Sequence, residues 1–142
     1  MFALSVVTLE KLIFEGEVKS VTAPGGEGYL QLLVNHAPII TTLLPGKLSY
    51  VTENDKFLYA VSGGFLEMSH NSASVLADAV ELAEEIDIKR AEASLREAQS
   101  RLELTSSDAS TDLVSIKSAI KRAENRIKIY REFKAKTTHP SI

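Results

Sequence analysis

A chain of 142 residues, 44% apolar and 25% charged with a net charge of −3, has the make-up of one ordinary globular domain, or of a small domain with an appendage. It contains no cysteine, which excludes disulfides, thiolate catalysis and Cys-based zinc sites. No apolar run approaches the roughly 18 residues of a membrane span, so membrane association is expected only through partners.

The opening segment Met1–Thr8 has no basic n-region and soon meets Glu10, which argues against a signal or transit peptide. The first eighty-odd residues then read as an all-β unit: short runs of Val, Leu, Ile, Phe and Tyr between turn signals, the pattern of a sandwich or barrel. The expected strands are Phe2–Leu9, Leu12–Phe14, Glu17–Ala23, Tyr29–Leu33, Ile39–Leu44, Gly46–Thr52, Lys56–Ser62, Phe65–Met68 and Ala73–Ala77. Phe14-Glu15-Gly16-Glu17 reads as a tight turn, and Glu53-Asn54-Asp55 and His70-Asn71-Ser72 as hairpin loops. Gly63-Gly64 is expected to supply positive φ at a turn or bulge. Pro24, Pro38 and Pro45 are placed at strand margins, where a missing N–H costs nothing. Asp78–Glu85, acidic and Ala-rich, reads as a linker.

At Asp87 the period changes. Apolar residues recur at spacings of three and four as Ile88, Ala91, Leu95, Ala98 and Leu102, and resume as Leu113, Ile116, Ile120, Ala123, Ile127 and Tyr130. That is a seam on two helices, each apolar on one narrow stripe. The first helix is expected over Ile88–Leu104 with Asp87 as N-cap. A polar loop follows at Thr105–Thr111, and the second helix runs from a Ser110 or Thr111 cap to about Lys136 before Thr137–Ile142 frays. Two such helices can bury their stripes against each other and need little else, so the hairpin reads as detachable. The domain reading is therefore α+β: a β-sandwich over residues 1–85 and an antiparallel two-helix hairpin over 86–142.

The net charge hides an asymmetry. Residues 1–111 hold 8 Lys and Arg against 16 Asp and Glu, whereas residues 112–142 hold 8 against 3. The basic residues are Lys117, Lys121, Arg122, Arg126, Lys128, Arg131, Lys134 and Lys136. Such a split points either to an acidic partner or to a solvated helix face. Nucleic acid is not expected, because the acidic remainder would be repelled by phosphates.

No motif indicates an enzyme. Gly25-Gly26-Glu27-Gly28 lacks the Lys-Ser/Thr of a phosphate loop and no helix pattern follows it, so it reads as a turn between strands. His36, His70 and His139 have no partners at metal-ligand spacing. Ser62 next to Gly63 lacks the strand–Ser–helix context of a nucleophile elbow. One cluster bears chemistry: Asp87 and Arg90 at the start of the first helix, with Arg122 and Arg126 one turn apart on the second. In an antiparallel hairpin these arginines are brought toward one another, and guanidinium groups bind phosphate oxygens bidentately. The other reading is that Asp87 only caps the helix and the arginines are solvated or paired to Glu92 and Glu124.

The chain resembles the epsilon subunit of the bacterial and chloroplast-type F1Fo ATP synthase over essentially its whole length. The matching residues are Val7–Glu10, Phe14-Glu15-Gly16, Ala23-Pro24-Gly25 with Glu27-Gly28, His36-Ala37-Pro38, Leu44-Pro45-Gly46, the run Ala60–Glu67 and Val75–Ala79. Two departures are Asn35, where the family often has Gly, and Tyr29, where it often has an acidic residue. The resemblance implies a ten-stranded β-sandwich with a helical hairpin, and a non-catalytic part of the central stalk. The sandwich would bind the gamma subunit and the ring of c subunits, with Glu27, Tyr29 and His36 in the loops that meet the ring.

The hairpin would inhibit ATP hydrolysis by extending among the alpha and beta catalytic subunits, with Lys117, Lys121, Arg122, Arg126 and Lys128 meeting an acidic segment of beta. Some members bind ATP at the folded hairpin through an Ile/Leu-Asp-x-x-Arg-Ala motif, complete here as Ile86, Asp87, Arg90 and Ala91. Glu81, Arg122 and Arg126 fall on matching positions, while a further arginine of the pattern is replaced by Glu97, whose carboxylate would repel phosphate. No cofactor is required on this reading, and ATP is expected as a regulatory ligand. The resemblance places the protein at the cytoplasmic face of the inner or plasma membrane, or at the stromal face of the thylakoid if it is plastid-encoded, held there by the complex. Two alternatives stand beside it: an unrelated sandwich-plus-hairpin adaptor, and a small nucleotide-hydrolysing enzyme.

Overall fold

A strand that buries every second residue turns one face to a core and the other to solvent. The first strand, β1 (Phe2–Val7), does this strictly, burying Phe2, Leu4 and Val6. The computed structural model describes residues 1–105 and 110–138, and the chain divides between Leu82 and Ala83 into two units.

In the first unit β1 is followed by β2 (Leu12–Val18), β3 (Ser20–Gly25), β4 (Gly28–Leu32), β5 (Ile39–Val51), β6 (Lys56–Ser69), β7 (Ser72–Ala77) and β8 (Val80–Leu82). They pair in the order β2-β1-β7-β6-β5-β3-β4, with β8 also on β6. The β1–β7 pair is parallel, and the other pairs are antiparallel.

The sandwich is as expected, but the described residues form eight strands rather than ten. Of the nine strands read from the sequence, two pairs merge into long strands and one strand, β8, is added. Ile39–Leu44 and Gly46–Thr52 merge into β5, and Lys56–Ser62 and Phe65–Met68 merge into β6, in one continuous register from Ile39↔Met68 to Val51↔Lys56.

This ribbon serves both layers. Tyr59–Val61 of β6 pairs with β8, while Gly64–Ser69 pairs with β7. The inward-facing residues change phase at the crossing. In β5 they are Ile39 and Leu43, then Gly46, Leu48 and Tyr50; in β6 they are Tyr59 and Val61, then Leu66 and Met68. Gly63 and Gly64 supply the expected positive φ, at +107° and +129°. Pro45 therefore lies inside a strand rather than at a margin. It sits where the ribbon changes phase, so its missing N–H is tolerated.

Two further expectations are corrected. Phe14-Glu15-Gly16-Glu17 is not a turn but the middle of β2, in register with β1 from Phe2↔Val18 to Val6↔Phe14. Gly16 lies beneath the Phe14 ring, whose Cζ is 3.1 Å from where a Cβ would stand, so the aromatic ring compensates for the missing side chain. The turn comes earlier, where the Thr8 hydroxyl accepts from the N–H groups of Glu10 and Lys11. The second correction is at Asp78–Glu85, which is not a bare linker. Val80–Leu82 pairs with Tyr59–Val61, satisfying backbone groups that the β6 edge would otherwise leave open.

Aromatic rings close one part of the core. Tyr50 packs against Phe14, Phe57 and Tyr59 at centroid separations of 4.4, 5.2 and 5.7 Å. The Tyr50 and Tyr59 hydroxyls are 2.9 Å apart. Burial, and then this hydrogen bond, push the Tyr50 phenol far above its ordinary range.

The second unit opens with a 3-10 turn at Ala83–Glu85, then α1 (Ile88–Leu104) and α2 (Ser110–Thr138). Small Ala91 and Ala98 on α1, with Ala123 on α2, are buried beside Ile116 and Ile127, which lets the helices approach closely. The narrow single stripe holds for α1 but not for α2. Ile129 lies off the stripe and is only 2% exposed, and α2 also packs against the 3-10 turn. Most of the expected polar loop, the end of the frayed tail and His139 lie outside the described residues, as do the Ser110 and Thr111 side chains expected as caps.

The ribbon crossing is the most sensitive point of the sandwich. A Cβ on Gly64 would run into the Leu76 carbonyl and the Ala77 Cα, at a φ that L-residues rarely adopt. Gly64→Ala is expected to destabilise the protein by about 3 kcal/mol or more, measured by chemical denaturation. A change below about 1 kcal/mol would contradict this account of the crossing.

Candidate functional site

The sequence around Asp87 divides its residues between core and surface. Ile86 and Ala91 are buried, at 4% and 0% exposure, whereas Asp87 and Arg90 are exposed. Asp87 takes an extended conformation, its carboxylate accepts the Arg90 N–H at 3.1 Å, and its carbonyl accepts the Ala91 N–H at 2.9 Å. The N-cap is thus formed as expected. Ile86 and Ala91 anchor the corner, while Asp87 and Arg90 face outward from it.

The hairpin register is marked by Glu92 and Arg131, 3.9 Å apart and solvent-exposed; such a pair contributes little to stability. With 1.5 Å of rise per residue, this register sets Arg126 roughly 10 Å along the hairpin from Arg90, with Arg122 one turn further. The backbone positions of the three arginines are therefore spread along the hairpin rather than set at one level. Arg126 is half-buried and already engaged, and Arg122 is exposed. Glu81 belongs to β8 of the other unit, opposite Ala60, and is also engaged. Glu97 is exposed on α1, next to Arg96.

Helix geometry also sorts the basic residues of α2, at about 100° per residue. Lys117, Lys121 and Lys128 fall within roughly 40° of one another on one side. Arg122 and Arg126 lie roughly 100–180° away from them, on the side that carries buried Ile129. The five residues expected to form one basic surface form two, because i, i+4 neighbours share a face and i, i+5 neighbours do not.

At the sandwich, Gly25–Gly28 closes the β3–β4 hairpin, with the Gly26 N–H donating to Thr41 Oγ1 at 3.3 Å. Glu27 is exposed at this turn. Tyr29 is 59% exposed, yet its hydroxyl accepts the Lys47 N–H at 2.9 Å. A Cβ on Gly46 would lie 2.7 Å from that hydroxyl and from Pro24 Cβ, so Tyr29 braces the Pro45-Gly46 segment. His36 is half-buried, and its Nδ1–H donates to the Ala37 carbonyl at 2.7 Å.

Two features were not singled out from sequence. One is an exposed face in which Thr42, Phe65, Leu76 and Val7 form a row across β5, β6, β7 and β1. Ile40, Glu67, Ser74, Ser5 and Glu15 form the next row, reaching β2. Ile40, Phe65 and Leu76 are 75%, 57% and 45% exposed. Strand alternation was the available signal, since Ile40 falls out of phase with buried Leu43. The other feature is a side-chain pair, Asn35 with Asn71. Among the described residues no group of acidic, His or Cys side chains is arranged to hold a metal ion.

The comparisons with known proteins match this architecture in its two parts. Residues 1–83 match the ATP synthase, Delta/Epsilon chain, beta-sandwich domain, and residues 84–131 the long alpha-helix domain of the same chain. An ATP synthase epsilon chain of Desulforamulus reducens is 41% identical over 125 residues, 88% of this chain and 93% of that one. The epsilon chain of Protochlamydia amoebophila is 44% identical over 104 residues, 72% of this chain and 71% of that one. A chain in the cryo-EM structure of Euglena gracilis mitochondrial ATP synthase (OSCP/F1/c-ring) is similar in fold, with a TM-score of 0.68 at 22% identity, covering 96% of this chain and 80% of that one.

Asp87→Ala removes the cap and is expected to cost about 1 kcal/mol of stability, while Asp87→Asn, which caps comparably, stays within a few tenths. Urea denaturation of the two variants separates them. Equal losses would show that the carboxylate does more than cap.

Proposed function

The chain belongs to the ATP synthase delta/epsilon chain family, and on that footing we propose that it is a non-catalytic rotor subunit joining the gamma subunit to the c ring and braking ATP hydrolysis through its helical hairpin. One observation carries the brake. The hairpin forms a unit of its own, with a seam of Ala91, Ala98, Ile116, Ala123 and Ile127 that closes between its two helices. An element with a self-contained seam can exchange positions without losing its core. Family membership sets aside the unrelated adaptor, and the subunit's part is structural and regulatory rather than enzymatic.

The exposed face with Ile40, Phe65 and Leu76 suits gamma. It is apolar at its centre, lined by small serines and bordered by Glu15 and Glu67, a pattern that favours an apolar partner with a basic rim. The Leu33–Pro38 loop with His36, and the Gly25–Tyr29 turn, are assigned to the c ring. Because Tyr29 spends its hydroxyl on Lys47, its contribution there is ring surface rather than charge. Through these contacts the subunit sits at the cytoplasmic membrane face, or the stromal face in a plastid.

In the hairpin, the sorting of basic residues divides two roles. Lys117, Lys121 and Lys128 are assigned to the acidic segment of a beta subunit in the extended state. Arg90, Arg122 and Arg126, with Asp87, are assigned to ATP in the folded state, where guanidinium groups would take phosphate oxygens bidentately. ATP then holds the hairpin folded only as far as it binds that state more tightly. Glu97 weakens this affinity relative to an arginine at the same place.

Deleting residues 87–142 is expected to leave assembly intact and to raise ATP hydrolysis of the complex severalfold. Unchanged hydrolysis would overturn the brake. Titrating the isolated subunit with millimolar ATP is expected to move the amide resonances of Asp87, Arg90, Arg122 and Arg126. A silent titration would remove ATP from the account and leave the brake standing.

A further inference from the structure

The connection between β4 and β5, Leu33–Pro38, exposes apolar surface: Leu33 is 51% and Val34 48% exposed, and Ala37 and Pro38 are exposed as well. A six-residue loop of this kind is ordinarily mobile. Here it is tied down at one point. Asn35 sits at φ +65°, in the left-handed region that Gly and Asn tolerate best. Its backbone N–H donates to Asn71 Oδ1 at 2.6 Å, and Asn71 Nδ2 donates back to Asn35 Oδ1 at 2.9 Å.

The partner is itself fixed. Asn71 forms the two-residue turn between β6 and β7 with His70, at φ +56° and +52°, as a tight hairpin requires. Its carbonyl accepts the Ala3 N–H at 3.1 Å. The loop is closed on its other side by the His36 N–H, which donates to the Leu33 carbonyl at 3.1 Å.

We propose that the Asn35–Asn71 pair is a latch that presets the Leu33–Pro38 loop for its partner, making Asn35 and Asn71 positioning residues for rotor coupling. This rests on the assignment of that loop to the c ring. The physical argument is preorganisation. A loop ordered before contact loses less conformational entropy on docking, and it yields less under load once docked. Glycine at position 35 would satisfy the backbone equally well. It would lack the amide that reaches across to the β6–β7 turn, so the side chain here serves something other than the turn.

The test uses Asn35→Gly and Asn71→Gly, which keep both left-handed conformations and remove only the paired amides, and their double variant. In the isolated full chain, amide exchange at Val34–His36 should accelerate by about fivefold or more, with the strands unaffected. The double variant should be no faster than Asn71→Gly, which removes both bonds, whereas Asn35→Gly keeps the backbone N–H bond to Asn71 Oδ1 and should accelerate exchange less. In the assembled complex, proton pumping per ATP hydrolysed should fall while hydrolysis itself is kept.

Unchanged exchange would overturn the latch, and faster exchange with full coupling would overturn its positioning role. Leu33→Asp tests the docking assignment separately, since it leaves the latch in place. If that variant exchanges normally and couples normally, the loop does not meet the ring and the proposal falls with that assignment.

Discussion

The sandwich depends on a single crossing. The β5–β6 ribbon supplies both layers, and its inward face must change phase where Leu44 and Pro45 lie across from Ser62 and Gly63. Two glycines at positive φ make this possible on one strand, and a proline without an N–H tolerates it on the other. Every other strand takes its place from this ribbon: β7 and β8 share one edge of β6, while β3 lies on β5. The exposed row through Phe65 and Leu76 is therefore positioned by the crossing as well. A side chain at Gly64 would disturb the core and the outer face together.

The helical unit rests on different physics. Its seam is made of small and branched apolar residues, its entry is fixed by the Asp87 cap, and the Glu92–Arg131 ion pair is exposed. An exposed pair of this kind contributes little to stability. The three faces of α2 take up three tasks in the proposed brake: one for α1, one for the folded state with its arginines, and one of lysines for the extended state. A ligand that moves such an equilibrium from 1:99 to 99:1 must prefer one state by about 5.5 kcal/mol.

Much of this was legible in the sequence, for identifiable reasons. Long-period features came through: the switch at Asp87, the α1 limits and the Asp87 cap all follow from spacing and capping chemistry that act locally. Local strand boundaries did not. Gly16 looked like a turn because glycine usually marks one, and only the Phe14 ring above it explains its place in a strand. Val80–Leu82 looked like linker because its strand character comes from the β6 edge it completes. The grouping of Arg122 and Arg126 with Lys117, Lys121 and Lys128 came with the family resemblance, and helix phase divides it. Asn35 stood out as a departure, but its partner is 36 residues away, and pairings of that kind are set by tertiary structure.

The central claim is that the hairpin has two positions in the assembled complex and that ATP biases them. Because the chain has no cysteine, spin labels can be placed at exposed Glu53, in the sandwich unit, and exposed Lys121, on α2. Pulsed dipolar spectroscopy of the labelled complex then measures their separation directly. The account predicts two distance populations, with the shorter gaining at the expense of the longer when ATP is added. A single distance that does not respond to ATP would contradict it.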